Sequence, residues 1–229
     1  MFRSLTLAVV LLSLLAAGCR KESSNPASNS TGSVPTSGLV AWYPFNGNAN
    51  DASGNGGTGS VTNASLAFDR FGKANSAYDF DGVSSQISAA TMYFAHANQV
   101  SVSLWVKTPP QPLRYFAMCS DFGVWTEDST AGIAISLPGT NSASGRFTTN
   151  AWSHIVGTYD STTIRVYIGG QLRDSVLWAG SLAPLDRNLV FGMFSGAYWQ
   201  GTLDDVRIYN RAVTPAEVVE LYHEGGWNP

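Results

Sequence analysis

Charge is scarce in this 229-residue chain: 13% of its residues are Asp, Glu, Lys or Arg, and the formal net charge is −3. With aromatics at 12% and hydrophobic residues at 44%, a disordered acidic or basic polymer is excluded. Thirteen Lys and Arg, with no block of five or more basic residues, leave no electrostatic footprint for nucleic acid. Two cysteines are too few for a disulfide-rich scaffold. The three histidines, His96, His154 and His223, lack metal-type spacing. His154 alternates with Trp152 and Val156 and reads as a core residue, while its neighbour Ser153 must point the other way, so no triad forms there. Stretches rich in Ala, Glu, Lys and Leu are missing, which excludes coiled coils and helical repeats. The pattern Gly54-x-Gly56-x-x-Gly59 has no helix behind it and reads as a surface loop rather than a dinucleotide site.

What is present begins with an address. Arg3 precedes an apolar stretch, Leu5–Ala17, whose thirteen residues are too few to span a bilayer and suit a signal-peptide core. The run Leu15-Ala16-Ala17-Gly18-Cys19 then resembles the lipobox of bacterial lipoproteins. That resemblance implies cleavage after Gly18, lipidation of Cys19 and anchoring by several acyl chains, which hold a protein where one chain would not. Arg20 after the cysteine resembles outer-membrane sorting, so the expected location is the bacterial cell envelope, at the outer membrane or cell surface. Residues 19–37, rich in Ser, Asn, Thr and Pro, read as a flexible tether reaching about 25 Å r.m.s.. Cys119 lies in an apolar, strand-like run and reads as a buried thiol.

From Gly38 to Pro229 period-two alternation recurs. In Gln99–Lys107, Val100, Val102, Leu104 and Val106 face one way and Ser101, Ser103, Trp105 and Lys107 the other, the mark of a half-buried strand. About ten such segments without βαβ spacing predict an all-β, two-sheet antiparallel sandwich. Gly169-Gly170 predicts a two-residue hairpin turn. Thr214-Pro215-Ala216-Glu217 predicts a capped C-terminal helix that ends at Gly225-Gly226.

Four stretches carry a further resemblance: Leu39-Val40-Ala41-Trp42-Tyr43-Pro44-Phe45-Asn46-Gly47, Tyr78-Asp79-Phe80-Asp81-Gly82, residues 152–160 and residues 201–212. Together with the C-terminal helix they resemble the laminin-G-like, concanavalin A-like domains of bacterial surface proteins. The resemblance implies a jelly roll over residues 38–229. It leaves function open, because that fold carries lectins, adhesins and hydrolases alike.

Glucanases of this fold place acid and nucleophile on one strand, so that alternation aims both at one cleft. Here the glutamates number five, Glu22, Glu127, Glu217, Glu220 and Glu224, with no Glu-x-Asp-x-x-Glu pattern. The pair Asp204-Asp205 must diverge on a strand. A non-catalytic domain is therefore expected. Calcium is the expected cofactor: Asn46, Asn48, Asn50 and Asp51 crowd oxygen donors that suit a hard cation. Asp204, alternating with Val206 and Ile208, would point inward and need a cation, backbone N–H groups, Arg207 or Arg211. The same Asn and Asp residues also suit plain turns. For ligand contact, Tyr198, Trp199 and Gln200 stand in a loop before the last strand, and Trp125 falls near a turn. Aromatic rings for sugar faces and an amide for hydroxyls form the usual mix of a small-ligand site. The expected partner is an extracellular glycan or other polymer, with a surface protein as the alternative and a glycoside hydrolase behind both.

Overall fold

The computed structural model describes residues 34–55, 57–89, 98–119, 122–135, 141–182 and 188–229. The signal segment, Cys19 and the tether up to residue 33 lie outside them. Strands β1 (Leu39–Tyr43), β2 (Gly59–Thr62), β3 (Ser65–Ala67), β4 (Ala77–Asp81) and β5 (Gln86–Ala89) come first. Then follow β6 (Val100–Lys107), β7 (Arg114–Cys119), β8 (Phe122–Glu127), β9 (Thr130–Ile135) and β10 (Asn141–Arg146). The chain continues through β11 (Ser153–Tyr159), β12 (Thr163–Ile168), β13 (Gln171–Leu177) and β14 (Leu189–Phe191). Two short strands, β15 (Met193–Phe194) and β16 (Ala197–Tyr198), precede the long β17 (Gln200–Tyr209) and the helix α1 (Pro215–Tyr222).

Two antiparallel sheets face each other. The first runs β13-β12-β11-β6-β17-β4-β3, with β1 added beside the second half of β17. The second runs β10-β9-β8-β7-β14-β5-β2. Their inner faces meet in one core, where Val102, Leu104 and Val106 of β6 join Val124 of β8, Ile133 of β9 and Phe191 of β14. The expected two-sheet sandwich with a short C-terminal helix is the fold observed.

β6 departs from the half-buried reading, because every residue from Val100 to Val106 is buried on both faces. Its outer row is roofed by the C-terminal segment. Trp105 stacks on His154 at 4.9 Å and Tyr222 at 5.8 Å, and takes Trp227 edge-on at 5.1 Å. Alternation reports which residues share a face; it carries no information on what a distant segment later covers.

Helix α1 forms as its sequence requires. Thr214 Oγ1 accepts the Glu217 amide at 3.3 Å, and Glu217 Oε2 accepts the Thr214 amide at 2.7 Å. This reciprocal cap satisfies two donors that no helical carbonyl can reach. Val218 and Leu221 then pack with Val156, Tyr167, Tyr209 and Val213 in a second cluster outside the first sheet. Val34 joins that cluster, while Pro35 and Ser37 carbonyls accept from Tyr209 Oη (3.0 Å) and Arg211 Nε (2.8 Å). Residues 34–37, read above as the end of the tether, thus lie against the domain.

Candidate functional site

The outer face of the second sheet is paved with rings laid on small residues. Trp125 sits in the middle of β8, not beside a turn, and pairs with Gly132 of β9. A Cβ on Gly132 would meet the Trp125 ring at 2.5 Å, so only glycine lets the indole lie flat there. Its Nε1 donates to Ser142 Oγ of β10 at 3.1 Å, which fixes the ring's rotation. One strand over, Tyr115 pairs with Trp125. The Tyr115 ring and the Met118 thioether cover Gly123 in the same way.

The β15–β16 hairpin extends this row. Phe194 meets Tyr115 edge-on at 5.4 Å. Arg114 Nε donates to the Tyr198 carbonyl at 3.1 Å and ties the hairpin to β7. Trp125, Tyr115, Phe194 and Tyr198 are all part-exposed. Trp125 and Tyr198 are thus placed in adjoining elements, linked through Tyr115 and Phe194, which the sequence reading passed over. Their signal was weak: a bulge between Tyr115 and Ala117 breaks the strand's parity. Gly123 and Gly132, the outward residues of their strands, also hide the alternation.

Trp199 and Gln200 belong elsewhere. Trp199 is 0% exposed, stacked on Phe116 at 4.6 Å and edge-on to Phe80 at 5.8 Å. Its Nε1 donates to Thr126 Oγ1 at 3.0 Å. The loop reading of Trp199 is corrected: the ring plugs the core, and no face is open to a ligand. Gln200 instead lines a polar cleft of about 300 Å³ with Asp79, Lys107, Asn150 and Thr202. Its carbonyl accepts from Thr108 Oγ1 and its amide donates to Gln111 Oε1.

The expected calcium ligands do not form one donor set. Asn46 Oδ1 accepts from the Lys73 ammonium at 2.8 Å, and Asn48 Oδ1 accepts the Asn50 amide. Asp51 takes the amides of Trp42 and Ser53 and the Ser53 hydroxyl. Asp204 is engaged by Arg70 at 2.8 Å. Two of these oxygens already face protein cations, so the residues do not fit a calcium ion. The turn-forming role of Asn48 and Asp51 is the one observed.

Asp204 enters a buried ionic cluster outside the first sheet. Arg70 also reaches Asp205 at 3.2 Å, and Arg207 bridges Asp205 at 2.8 Å and Glu224 at 2.6 Å. Asp205, which also accepts Trp42 Nε1 at 2.7 Å, has φ +52° at a bulge in β17. The bulge turns both Asp204 and Asp205 toward the arginines, where a regular strand would splay them. Burial, then the charge of Asp205, pushes the Asp204 carboxyl up to about 8, with Arg70 offsetting only part. Burial and Asp205 likewise push Glu224 up to about 7. Burial also works against ionisation of Asp205, but Arg207 and its other partners hold it down at about 2. Three carboxylates face two guanidiniums, and the excess negative charge is relieved because Asp204 and Glu224 hold their protons to higher pH.

Residues 80–219 match the family model Laminin_G_3, described as the concanavalin A-like lectin/glucanases superfamily. The chain belongs to this superfamily. Solved structures agree on the concanavalin A-like fold. Domain 4 of AbnA, a GH43 extracellular arabinanase from Geobacillus stearothermophilus in complex with arabinotriose, superposes with TM-score 0.67 at 24% identity, covering 80% of this chain and 98% of that domain. The botulinum neurotoxin serotype D binding domain gives 0.68 at 15% identity, over 82% and 51%. That of neurotoxin DC, in complex with SialylT, gives 0.67 at 12%, over 82% and 52%. The chain therefore spans about half the length of the neurotoxin binding domains. No curated protein sequence matches it.

Proposed function

We propose that this concanavalin A-like domain is a non-catalytic glycan-binding module, displayed on the bacterial envelope through a lipid on Cys19. One observation carries the binding reading: Trp125 lies flat over Gly132 and beside Tyr115 on an outer sheet face. Sugar C–H faces pack on such rings, and a rotation-locked indole spends little entropy on binding. The arabinotriose bound by the AbnA domain makes arabino-oligosaccharides the first probe. A non-catalytic role is supported by the carboxylates themselves. Asp204, Asp205 and Glu224 are tied to arginines, and Glu127 stands at the end of β8. A second reading, contact with a protein partner, is favoured by exposed Phe68 (65%) and Val83 (73%) near the β2–β3 turn.

The test is Trp125→Ala in the full-length protein, titrated calorimetrically with arabino-oligosaccharides and then with whichever glycan scores best on an array. Loss of one stacking ring should cost about 1–3 kcal/mol, by analogy with base stacking, or roughly ten- to a hundred-fold in Kd. A variant that binds as tightly as the parent removes Trp125 from the site. A parent protein silent across the array overturns the glycan reading in favour of the protein partner.

A further inference from the structure

A cleft of about 470 Å³ opens where the β10–β11 connection, the β12–β13 turn and the C-terminal segment meet. Its walls include Trp152, Tyr222 and Trp227, all part-exposed. Gly170, at φ +75°, lets the hairpin turn close on the Tyr222 ring, which a Cβ would approach to 3.1 Å. His154 also lines it, 1% exposed; its Nε2 is bonded to Ser103 Oγ at 2.9 Å, and its Nδ1 has no partner among the described residues.

Two exposed arginines complete the lining, Arg146 and Arg173. Every other described arginine is engaged by a carboxylate or by backbone carbonyls. Among the described residues Arg146 has only the neutral Ser129 Oγ, at 3.2 Å. No ion pair or hydrogen bond holds the Arg173 head among the described residues, and no Asp or Glu side chain lines the cleft. The Arg173 stem is nonetheless positioned, because it packs where a Cβ on Gly145 would sit 2.5 Å away. Aromatic walls beside two guanidiniums that no described carboxylate engages match a ring that carries an anion. Of the lining residues, Arg146 belongs to β10, the strand that also carries Ser142. Ser142, which holds Trp125, and Arg146 lie on the same side of β10, four residues or about 13 Å apart.

We infer that the cleft is a second subsite, specific for an acidic sugar residue: a uronate whose ring packs on the aromatic walls and whose carboxylate meets Arg146 and Arg173. This rests on the glycan-binding reading and adds a charge requirement to it. The experiment titrates the full-length protein in detergent with oligogalacturonate and with a neutral arabino-oligosaccharide of equal length. Arg146→Gln combined with Arg173→Gln should weaken oligogalacturonate by about ten- to a hundred-fold. Neutral binding and the melting temperature should stay unchanged. Arg173→Gln alone, together with the salt dependence of the parent, supplies the same comparison if the double variant unfolds. Undiminished uronate affinity in the variants overturns the subsite. So does inorganic sulfate competing as well as galacturonate, which marks a general anion site. A parent that binds neutral oligosaccharides but no uronate refutes the subsite alone, whereas one that binds no glycan refutes the underlying reading as well.

Discussion

Trp199 shows how one residue's place is decided by backbone that alternation does not encode. Its amide donates to the Gly192 carbonyl at 2.9 Å, and the ring then turns inward beside Gly201. Gly201 sits at φ +151°, and a Cβ there would strike the indole at 2.6 Å. A glycine on either side reads as a loop, yet here the two glycines let the chain fold a tryptophan back into the core. The ring is large, fully buried and hydrogen-bonded, so Trp199→Ala should destabilise the fold by about 3–5 kcal/mol. A urea melt checks this, and glycan affinity measured on the still-folded fraction should match the parent. A variant with parental stability and lost binding would restore Trp199 to the ligand site. Trp125 is the opposite case: its side chain was legible as a candidate, but its strand was not.

Among the elements, legibility followed the size of the side chains on the outward row. β11, β12 and α1 carry large residues at regular spacing and read directly from the sequence. β10, Asn-Ser-Ala-Ser-Gly-Arg, is built mostly of small polar residues, and β8, Phe-Gly-Val-Trp-Thr-Glu, opens its outward row with a glycine, so neither reads as a strand. The bulge in β17 was equally hidden. Alternation alone sends Asp204 and Asp205 to opposite faces, whereas the positive φ of Asp205 delivers both to Arg70. That cluster clasps Glu224 and the C-terminal segment to the sheet, and it sets a pH dependence. Asp204 and Glu224 retain protons in the folded state, near 8 and 7, that the unfolded chain releases near 4. Their stabilisation is complete at low pH and is lost as pH rises through the folded values. His154 acts oppositely: burial, then Arg70, lowers it to about 3, so its penalty in acid ends once pH passes its ordinary 6.5. Above that point the carboxyls act alone. From about pH 6.5 to about 8.5 stability should fall by about 2–3 kcal/mol, or about 2–4 °C per kcal/mol for a chain this long. Asp204→Asn cannot ionise but keeps an acceptor for Arg70, so its melting curve should vary less over the same range. A parent whose melting temperature rises with pH there, or an Asn variant of equal slope, contradicts the retained proton.

At the scale of the whole molecule, the entry of the chain and the proposed stacking face lie outside different sheets. Val34, Pro35 and Ser37 join the domain outside the first sheet, against Tyr209, Arg211 and the cluster that receives α1. Trp125 and Tyr115 lie outside the second sheet, across the core. Under the proposed anchoring, a chain that enters outside the first sheet leaves the Trp125 face outside the second sheet uncovered by its own entry segment. Recognition and anchorage should therefore separate cleanly under mutation. Cys19→Ser removes the thiol that the lipobox resemblance marks for acylation, and with it the acyl chains proposed to hold the protein at the membrane. In detergent-phase partition of whole-cell extracts, the variant should move to the aqueous phase and keep its uncleaved signal segment. Its glycan affinity in solution should equal the parent's, because Trp125 and its supports are untouched. Partition of the variant into the detergent phase, or loss of glycan binding on removal of the lipid, would show that attachment and recognition are not divided in this way.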